Sequence, residues 1–266
     1  MNIAIAGIFS VLCYLTSATL IGKDLFARQD RRPLPIRLAW IATALHTVYA
    51  ATIFLGEQPF NFGFFNAATL VALVISWFLL FAALDKPVEN LGVAVFPLAA
   101  ALIGLDMIFP ETNHPLVTHN WQMGVHILTS IVAFSLLNIA AIQAILLAIQ
   151  DQQLRSHNPK KLMLALPPLQ AMETLLFQMI GTGLFFLTAA LLSGFVFIED
   201  IFAQHLAHKT ILSICAWLIF SGLLLGRLRY GWRGSTAIQW TLAGFVLLLL
   251  AYFGSKLVLE LILKKI

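Results

Sequence analysis

Residues 66–84 of the chain form the stretch NAATLVALVISWFLLFAAL, which contains no charged side chain. Its length matches the roughly 20 helical residues that cross a hydrocarbon core of about 30 Å. A strand crossing the same core needs only about 10 residues, and its side chains alternate in polarity. Because a helix pairs all its backbone donors and acceptors internally, this stretch predicts a membrane-spanning helix.

The rest of the chain repeats this pattern. Of its 266 residues, 60% are hydrophobic and 11% are charged, whereas a soluble domain carries about 25% charged residues. Apolar stretches of spanning length lie at 3–22, 37–56, 66–84, 91–109, 122–150, 173–198, 210–228 and 237–262. We therefore predict an all-α, polytopic membrane bundle of eight helices, which forms a single integral domain over residues 1–266. The sequence shows no internal repeat.

Basic residues collect on one side of the predicted bundle. The loops at 23–37, 85–90 and 151–172, with the seventh loop, contain 12 Lys and Arg residues, and the opposing loops contain only Lys209. The positive-inside rule then places both termini in the periplasm. This pattern predicts a multi-pass protein of the bacterial cytoplasmic (inner) membrane. Because the basic residues occupy short loops and form no single basic face, nucleic acid is not an expected partner.

His46 and His126 are the strongest candidates for a functional site. His46 lies nine residues past Arg37, hence about 14 Å into the membrane, where an ionisable side chain indicates a functional site. His126 follows Trp121 by five residues on the fifth span. Neutral imidazole is a good ligand for haem iron. The alternatives are a histidine that packs two helices together, for His46, and one that anchors a helix end, for His126.

Four other histidines fall in the predicted outer loops, namely His114, His119, His205 and His208. Imidazoles bind transition metals, but no cysteine or compact carboxylate set completes a site here. We therefore predict no metal site and keep His119, His205 and His208 as secondary candidates. Asp106, near the outer end of the fourth span, is interpreted as an interfacial acid. Because the chain has no catalytic triad, paired carboxylates or phosphate-binding loop, we expect no enzymatic activity.

Six short motifs follow one another along the chain: MGVHILTS from Met123, FSLL from Phe134, LPPLQAME from Leu166, IGTG from Ile180, GWRG from Gly231 and AYFG from Ala251. In this order they resemble the cytochrome c assembly proteins, and within them the branch of YpjD-type inner membrane proteins, near HemX and related to CcsA and CcmC. The resemblance covers about residues 37–262 and is strongest from 121 to 256.

The resemblance implies a protein that handles haem at the periplasmic face and presents it to apocytochrome c. In that family histidines are axial ligands, and a Trp-rich loop holds the macrocycle. His126 matches a haem-associated histidine, and His46 resembles the intramembrane histidine of an early span. The expected cofactor is haem b. The sixth loop departs from the family pattern, because residues 197–210 contain no Trp and keep only Lys209 of the loop motif.

The leading hypothesis is therefore a haem-handling or haem-sensing membrane protein that binds haem b through His46 and His126. One alternative is a scaffold or regulatory subunit of another membrane complex, with no cofactor. A transporter of a small solute or metal is the third hypothesis. Membrane lipid is the expected partner, with haem and another integral membrane protein as further candidates.

Overall fold

The computed structural model describes residues 3–27, 33–54, 64–109, 121–155, 167–197 and 204–254. The first half of the chain contains α1 (Ile3–Ala27), α2 (Pro33–Phe54), α3 (Phe64–Asp85), a short 3-10 turn (Glu89–Leu91) and α4 (Gly92–Ile108). The second half contains α5 (Trp121–Arg155), α6 (Leu169–Phe197), α7 (Gln204–Tyr230), α8 (Ser235–Leu249) and a π-helical turn (Leu250–Gly254). These ranges contain no β-strand.

Eight helices in the described ranges are long and apolar enough to cross a membrane. This confirms the predicted all-α, polytopic fold. The structure does not test the periplasmic placement of the termini, which stays a prediction. The predictions for residues 255–262 of the last span, for His114 and for His119 concern residues outside the described ranges.

Several helix boundaries differ from the predicted ones, and two of these differences have a local cause in the sequence. Helix α5 continues to Arg155, five residues past the predicted end of the span, and Arg155 pairs with Asp151 at 3.1 Å. Such an i, i+4 ion pair favours helix in a polar segment. Helix α6 starts at Leu169, directly after Pro168, whose carbonyl accepts hydrogen bonds from the amides of Ala171 and Met172. A proline is favoured at a helix start because its missing N–H is not needed there.

The helices form two compact units, α1–α4 and α5–α8. In the first unit each helix packs against its neighbour in sequence, and α4 closes the ring by packing against α1. The contact faces include small and aromatic side chains, among them the fully buried Ala39, Ala42, Tyr14 and Phe96. The unit is therefore a four-helix bundle with a closed interior.

The second unit has the same ring order, in which α5 packs against α6 and α8, and α7 packs against α6 and α8. Helices α5 and α6 approach closely at Gly183, where an added Cβ would lie 2.8 Å from the Leu137 side chain. This contact requires glycine at position 183. The division into two units does not test the prediction of a single integral domain, which stays a prediction.

Candidate functional site

His46 lies on the buried face of α2 in the first unit. The face is formed at helical spacing by Ala39, Ala42, Thr43, His46, Tyr49 and Ala50, all of which are buried. The His46 side chain is 0% exposed. Small residues on either side of it allow α1 to approach closely, and this brings the Tyr14 side chain to the imidazole.

The imidazole of His46 is held by a chain of hydroxyl groups. Its Nδ1 lies 3.3 Å from the Tyr14 hydroxyl, and the Tyr14 hydroxyl donates to Oγ1 of Thr43 at 3.1 Å. Thr43 in turn donates to the carbonyl of Ala39 at 2.9 Å. The two rings meet edge to face, with centroids 5.9 Å apart, and Tyr14 also stacks on Phe96 at 5.5 Å. The Nε2 atom of His46 is buried and has no hydrogen-bond partner.

A buried acid, Asp106, lies in the first unit together with His46. Asp106 of α4 is 6% exposed, and its Oδ2 accepts a 2.7 Å hydrogen bond from the hydroxyl of Tyr49. Tyr49 follows His46 by three residues on the same helix face. The interpretation of Asp106 as an interfacial acid therefore needs refinement, because its carboxyl group is packed between helices and bonded to a tyrosine.

His126 lies on α5 in the second unit and is half-buried. Its Nδ1 is 3.0 Å from the carbonyl oxygen of Ala190 and 3.2 Å from Oγ of Ser193, both on α6. A carbonyl oxygen only accepts hydrogen bonds, so Nδ1 must carry the ring proton. In neutral imidazole the other nitrogen, Nε2, then keeps its lone pair.

An aromatic cluster lies on the same face of α5 as His126, further towards the C-terminal end of the helix. Ser130 and Phe134 follow His126 at intervals of four residues, which places all three on one face of the helix. Phe134 stacks on Tyr252 with ring centroids 4.7 Å apart and lies 5.5 Å from the Phe253 ring. Both of these residues belong to the π-helical turn after α8, a kind of turn that is frequent at functional sites.

The predicted site residues thus fall into separate units. His46 belongs to the first unit and His126 to the second, and their joint binding of one haem stays a prediction. Within the described residues, no group of three or more His, Cys, Asp or Glu side chains could hold a metal ion. Of the secondary metal candidates, His208 is exposed on α7, and His119 and the side chain of His205 lie outside the described part of the chain.

The GWRG motif forms the turn between α7 and α8. Glu173 of α6 is buried and accepts hydrogen bonds from the backbone N–H of Gly234 at 2.7 Å and from Nε of Arg233 at 3.0 Å. Gly231 and Gly234 both have positive φ, 66° and 55°. Arg227 lies over the Phe177 ring and donates to the carbonyl of Trp232. Two motifs that are distant in sequence, LPPLQAME and GWRG, therefore meet through Glu173.

Sequence reasoning missed Tyr14, Thr43 and Tyr49. A signal for two of them was present, because Thr43, His46 and Tyr49 recur every three residues in an apolar span, which places polar groups on one face of a helix. Tyr14 gave no such signal, because its role depends on the register between α1 and α2.

Taken together, the fold and these side chains define a multi-pass α-helical membrane protein whose described spans include His46 and His126, each bonded to the protein through Nδ1. Residues 37–263 match the family described as cytochrome c assembly protein. The chain therefore belongs to the cytochrome c assembly protein family, as its motifs predicted.

The chain is also similar to individual members of this group. It is 32% identical to the inner membrane protein YpjD of Escherichia coli strain K12, over 96% of this chain and 98% of that protein. It is 28% identical to the cytochrome c biogenesis protein CcsA of Chlamydomonas reinhardtii, over 55% of this chain and 40% of that protein. No solved structure matches the chain. The predicted localisation is confirmed, and the chain is a multi-pass inner membrane protein.

Proposed function

We propose that this protein handles or senses haem, and that it binds haem b through Nε2 of His46 and Nε2 of His126. The observation that carries the proposal is common to both histidines. Each has its Nδ1 atom hydrogen-bonded to the protein, at Tyr14 for His46 and at Ala190 for His126. Histidines that bind metals almost always bond their second ring nitrogen in this way.

The state of the His46 Nε2 atom also fits this proposal. A buried nitrogen with no hydrogen-bond partner is unusual, since most buried polar side-chain atoms are paired. The Nε2 lone pair that the protein leaves unpaired would be a donor for haem iron. His126 is only half-buried, so its Nε2 is the more accessible of the two. Bound haem would supply that iron, and both residues supply the nitrogen donors that haem iron takes from proteins.

Family membership supports a haem-related role, because the matching family and the relative CcsA are described by cytochrome c assembly and biogenesis. That family is an assembly family and not a class of hydrolase or oxidoreductase, so cofactor binding is the proposed activity. Residues 197–210 contain no Trp. We therefore propose haem handling or sensing without the Trp-rich loop that would hold the macrocycle for transfer to apocytochrome c.

The absorption spectrum of the purified protein tests this function. We expect a Soret band from protein in mild detergent, after haem is supplied if necessary, and a pyridine haemochrome spectrum of the b type. His46→Ala and His126→Ala should each alter the spectrum. His208→Ala is the matched control, because it removes an exposed imidazole from α7 and should change nothing. A wild-type protein without a Soret band after haem addition would overturn the proposal.

The missing Trp-rich loop favours a second candidate function, which is a cofactor-free scaffold or regulatory subunit of another integral membrane protein. Crosslinking in intact membranes tests it. One recurrent integral partner, combined with a His126→Ala variant that keeps full function in cells, would favour the scaffold over haem binding.

A further inference from the structure

We infer that Tyr14, oriented by Thr43, is the positioning residue that makes Nε2 of His46 the ligand atom for iron. The inference rests on the proposed function and deepens it, because it assigns the tautomer of one proposed ligand to two side chains that are not themselves ligands. Its basis is the direction of each hydrogen bond around the Tyr14 hydroxyl.

The first step concerns the hydroxyl group of Thr43, which lies 3.1 Å from the Tyr14 hydroxyl. Oγ1 of Thr43 donates to the carbonyl of Ala39 at 2.9 Å. A threonine hydroxyl has a single proton, so Thr43 has no proton left for Tyr14. Thr43 therefore acts as the acceptor for Tyr14.

The second step concerns the tyrosine. Its hydroxyl proton is directed to Thr43, and its oxygen can then only accept a hydrogen bond from His46. The Tyr14 oxygen is 3.3 Å from Nδ1 of His46, so Nδ1 carries the ring proton. Neutral imidazole has one protonated nitrogen and one acceptor nitrogen. The Nε2 atom of His46 is consequently the acceptor.

The third step concerns what this arrangement leaves unpaired. Nε2 of His46 is buried without a partner, and a buried acceptor without a hydrogen bond is destabilising. A histidine that served only helix packing would be more stable with both nitrogens paired. The stack of Tyr14 on Phe96 and its edge-to-face contact with His46 also hold the imidazole in one orientation. A fixed ring with a free Nε2 lone pair is the arrangement that ligation to a metal requires.

Two variants act on this network in different ways. Tyr14→Phe removes the acceptor, so the ring of His46 is free to adopt either tautomer. Thr43→Val keeps Tyr14 and His46 intact but removes the acceptor of the Tyr14 proton. The tyrosine must then donate to Nδ1 of His46, and the ring proton moves to Nε2. The matched control is Thr241→Val, which removes a buried hydroxyl from the second unit.

Nitrogen NMR of the haem-free protein in detergent reads the tautomer directly. The protein is labelled with ¹⁵N-histidine, and the His46 signals are assigned by their loss in His46→Gln. We expect protonated Nδ1 in the wild type and the control, protonated Nε2 in Thr43→Val, and a mixture in Tyr14→Phe. A wild-type ring protonated at Nε2 or at both nitrogens would overturn the inference, as would a Thr43→Val variant with the wild-type tautomer.

Haem titration of the same proteins separates this inference from the proposed function. Loss of such outer-shell contacts typically lowers metal affinity about 10- to 100-fold, and we expect this loss in Thr43→Val but not in the control. If the wild type binds no haem, the proposed function fails and the ligand role of Nε2 fails with it. If the wild type binds haem and Thr43→Val binds equally well, the positioning role alone is overturned.

Discussion

The hydroxyl of Tyr49 donates a 2.7 Å hydrogen bond to Oδ2 of Asp106 and so links the C-terminal ends of α2 and α4. Both side chains are buried within the first unit. A carboxyl group removed from water is costly unless it is hydrogen-bonded. The tyrosine therefore has a structural role that its position in an apolar span does not reveal.

Removing this hydroxyl should destabilise the first unit. We expect Tyr49→Phe to lower the free energy of unfolding by about 1–3 kcal/mol, because a buried acid then loses its donor. Unfolding of the detergent-solubilised protein by heat or by increasing SDS measures the change. Tyr230→Phe is the matched control, because Tyr230 is 75% exposed and loses the same hydroxyl.

The double variant Tyr49→Phe/Asp106→Leu completes a mutant cycle for this pair. Because the second substitution removes the acid that lost its donor, the double variant should be less destabilised than the sum of the single variants. Strictly additive effects would show that the two side chains do not interact.

The same kind of side-chain hydrogen bond, from a tryptophan to a threonine, occurs inside each of the two units. In the first unit the indole N–H of Trp77 on α3 donates to Oγ1 of Thr47 on α2 at 3.1 Å. In the second unit the indole N–H of Trp217 on α7 donates to Oγ1 of Thr188 on α6 at 2.8 Å. The sequence showed no internal repeat, yet the second and third helices of both bundles are joined by the same pair of side chains.

Each of these threonines should contribute to stability in its own bundle. We expect Thr47→Val and Thr188→Val each to cost about 1–3 kcal/mol, since each leaves a half-buried indole N–H without its acceptor. Thermal unfolding followed by tryptophan fluorescence measures both effects. Thr182→Val is the control, because Thr182 bonds only within its own helix at an exposed position. A change as small as that of the control would argue against a structural role for the Trp–Thr pairs.

The turn between α7 and α8 depends on backbone geometry at Gly234. This residue has φ 55° and ψ −127°, a conformation that is strained for residues with a Cβ. We expect Gly234→Ala to destabilise the protein by about 1–3 kcal/mol and to weaken the bond from its N–H to Glu173. Gly181→Ala is the control, because a Cβ there meets nothing within 4 Å. In a helix interior, that change should be neutral or favourable by up to about 1 kcal/mol. Equal melting temperatures for the two variants would contradict the assigned role of Gly234.

The number and approximate positions of the spans were predictable, because they depend on the length of helix that crosses the bilayer core and on the absence of charge within it. The ends of the helices were less predictable. The start of α6 was missed because Gln170 and Glu173 make its first turn look like a loop, whereas Glu173 is buried against the turn that contains Gly234. A polar residue whose partner lies about 60 positions away gives no local signal.

The candidate site was predictable only in part. His46 and His126 stand out because ionisable residues are rare in spans. Tyr14 and Thr43 do not stand out. A hydroxyl side chain in a helix commonly bonds the carbonyl four residues earlier, as Thr43 does. Its second role, as the acceptor for Tyr14, depends on the register of α1 and α2. That register cannot be derived from one helix at a time.

The site around His126 allows a prediction that separates a ligand from its neighbours. Ser193 shares the Ala190 carbonyl with His126, since its own hydroxyl donates there at 2.9 Å. In Ser193→Ala the carbonyl remains as the acceptor for Nδ1, so the tautomer of His126 and its Nε2 lone pair are unchanged. We expect this variant to keep the wild-type haem spectrum and affinity, whereas His126→Ala should lose one axial ligand and change the spectrum from six-coordinate to five-coordinate. Absorption titrations with haem compare the two variants at matched protein concentration. If both variants lose haem equally, the serine and not the tautomer controls binding; if neither changes, His126 is not a ligand.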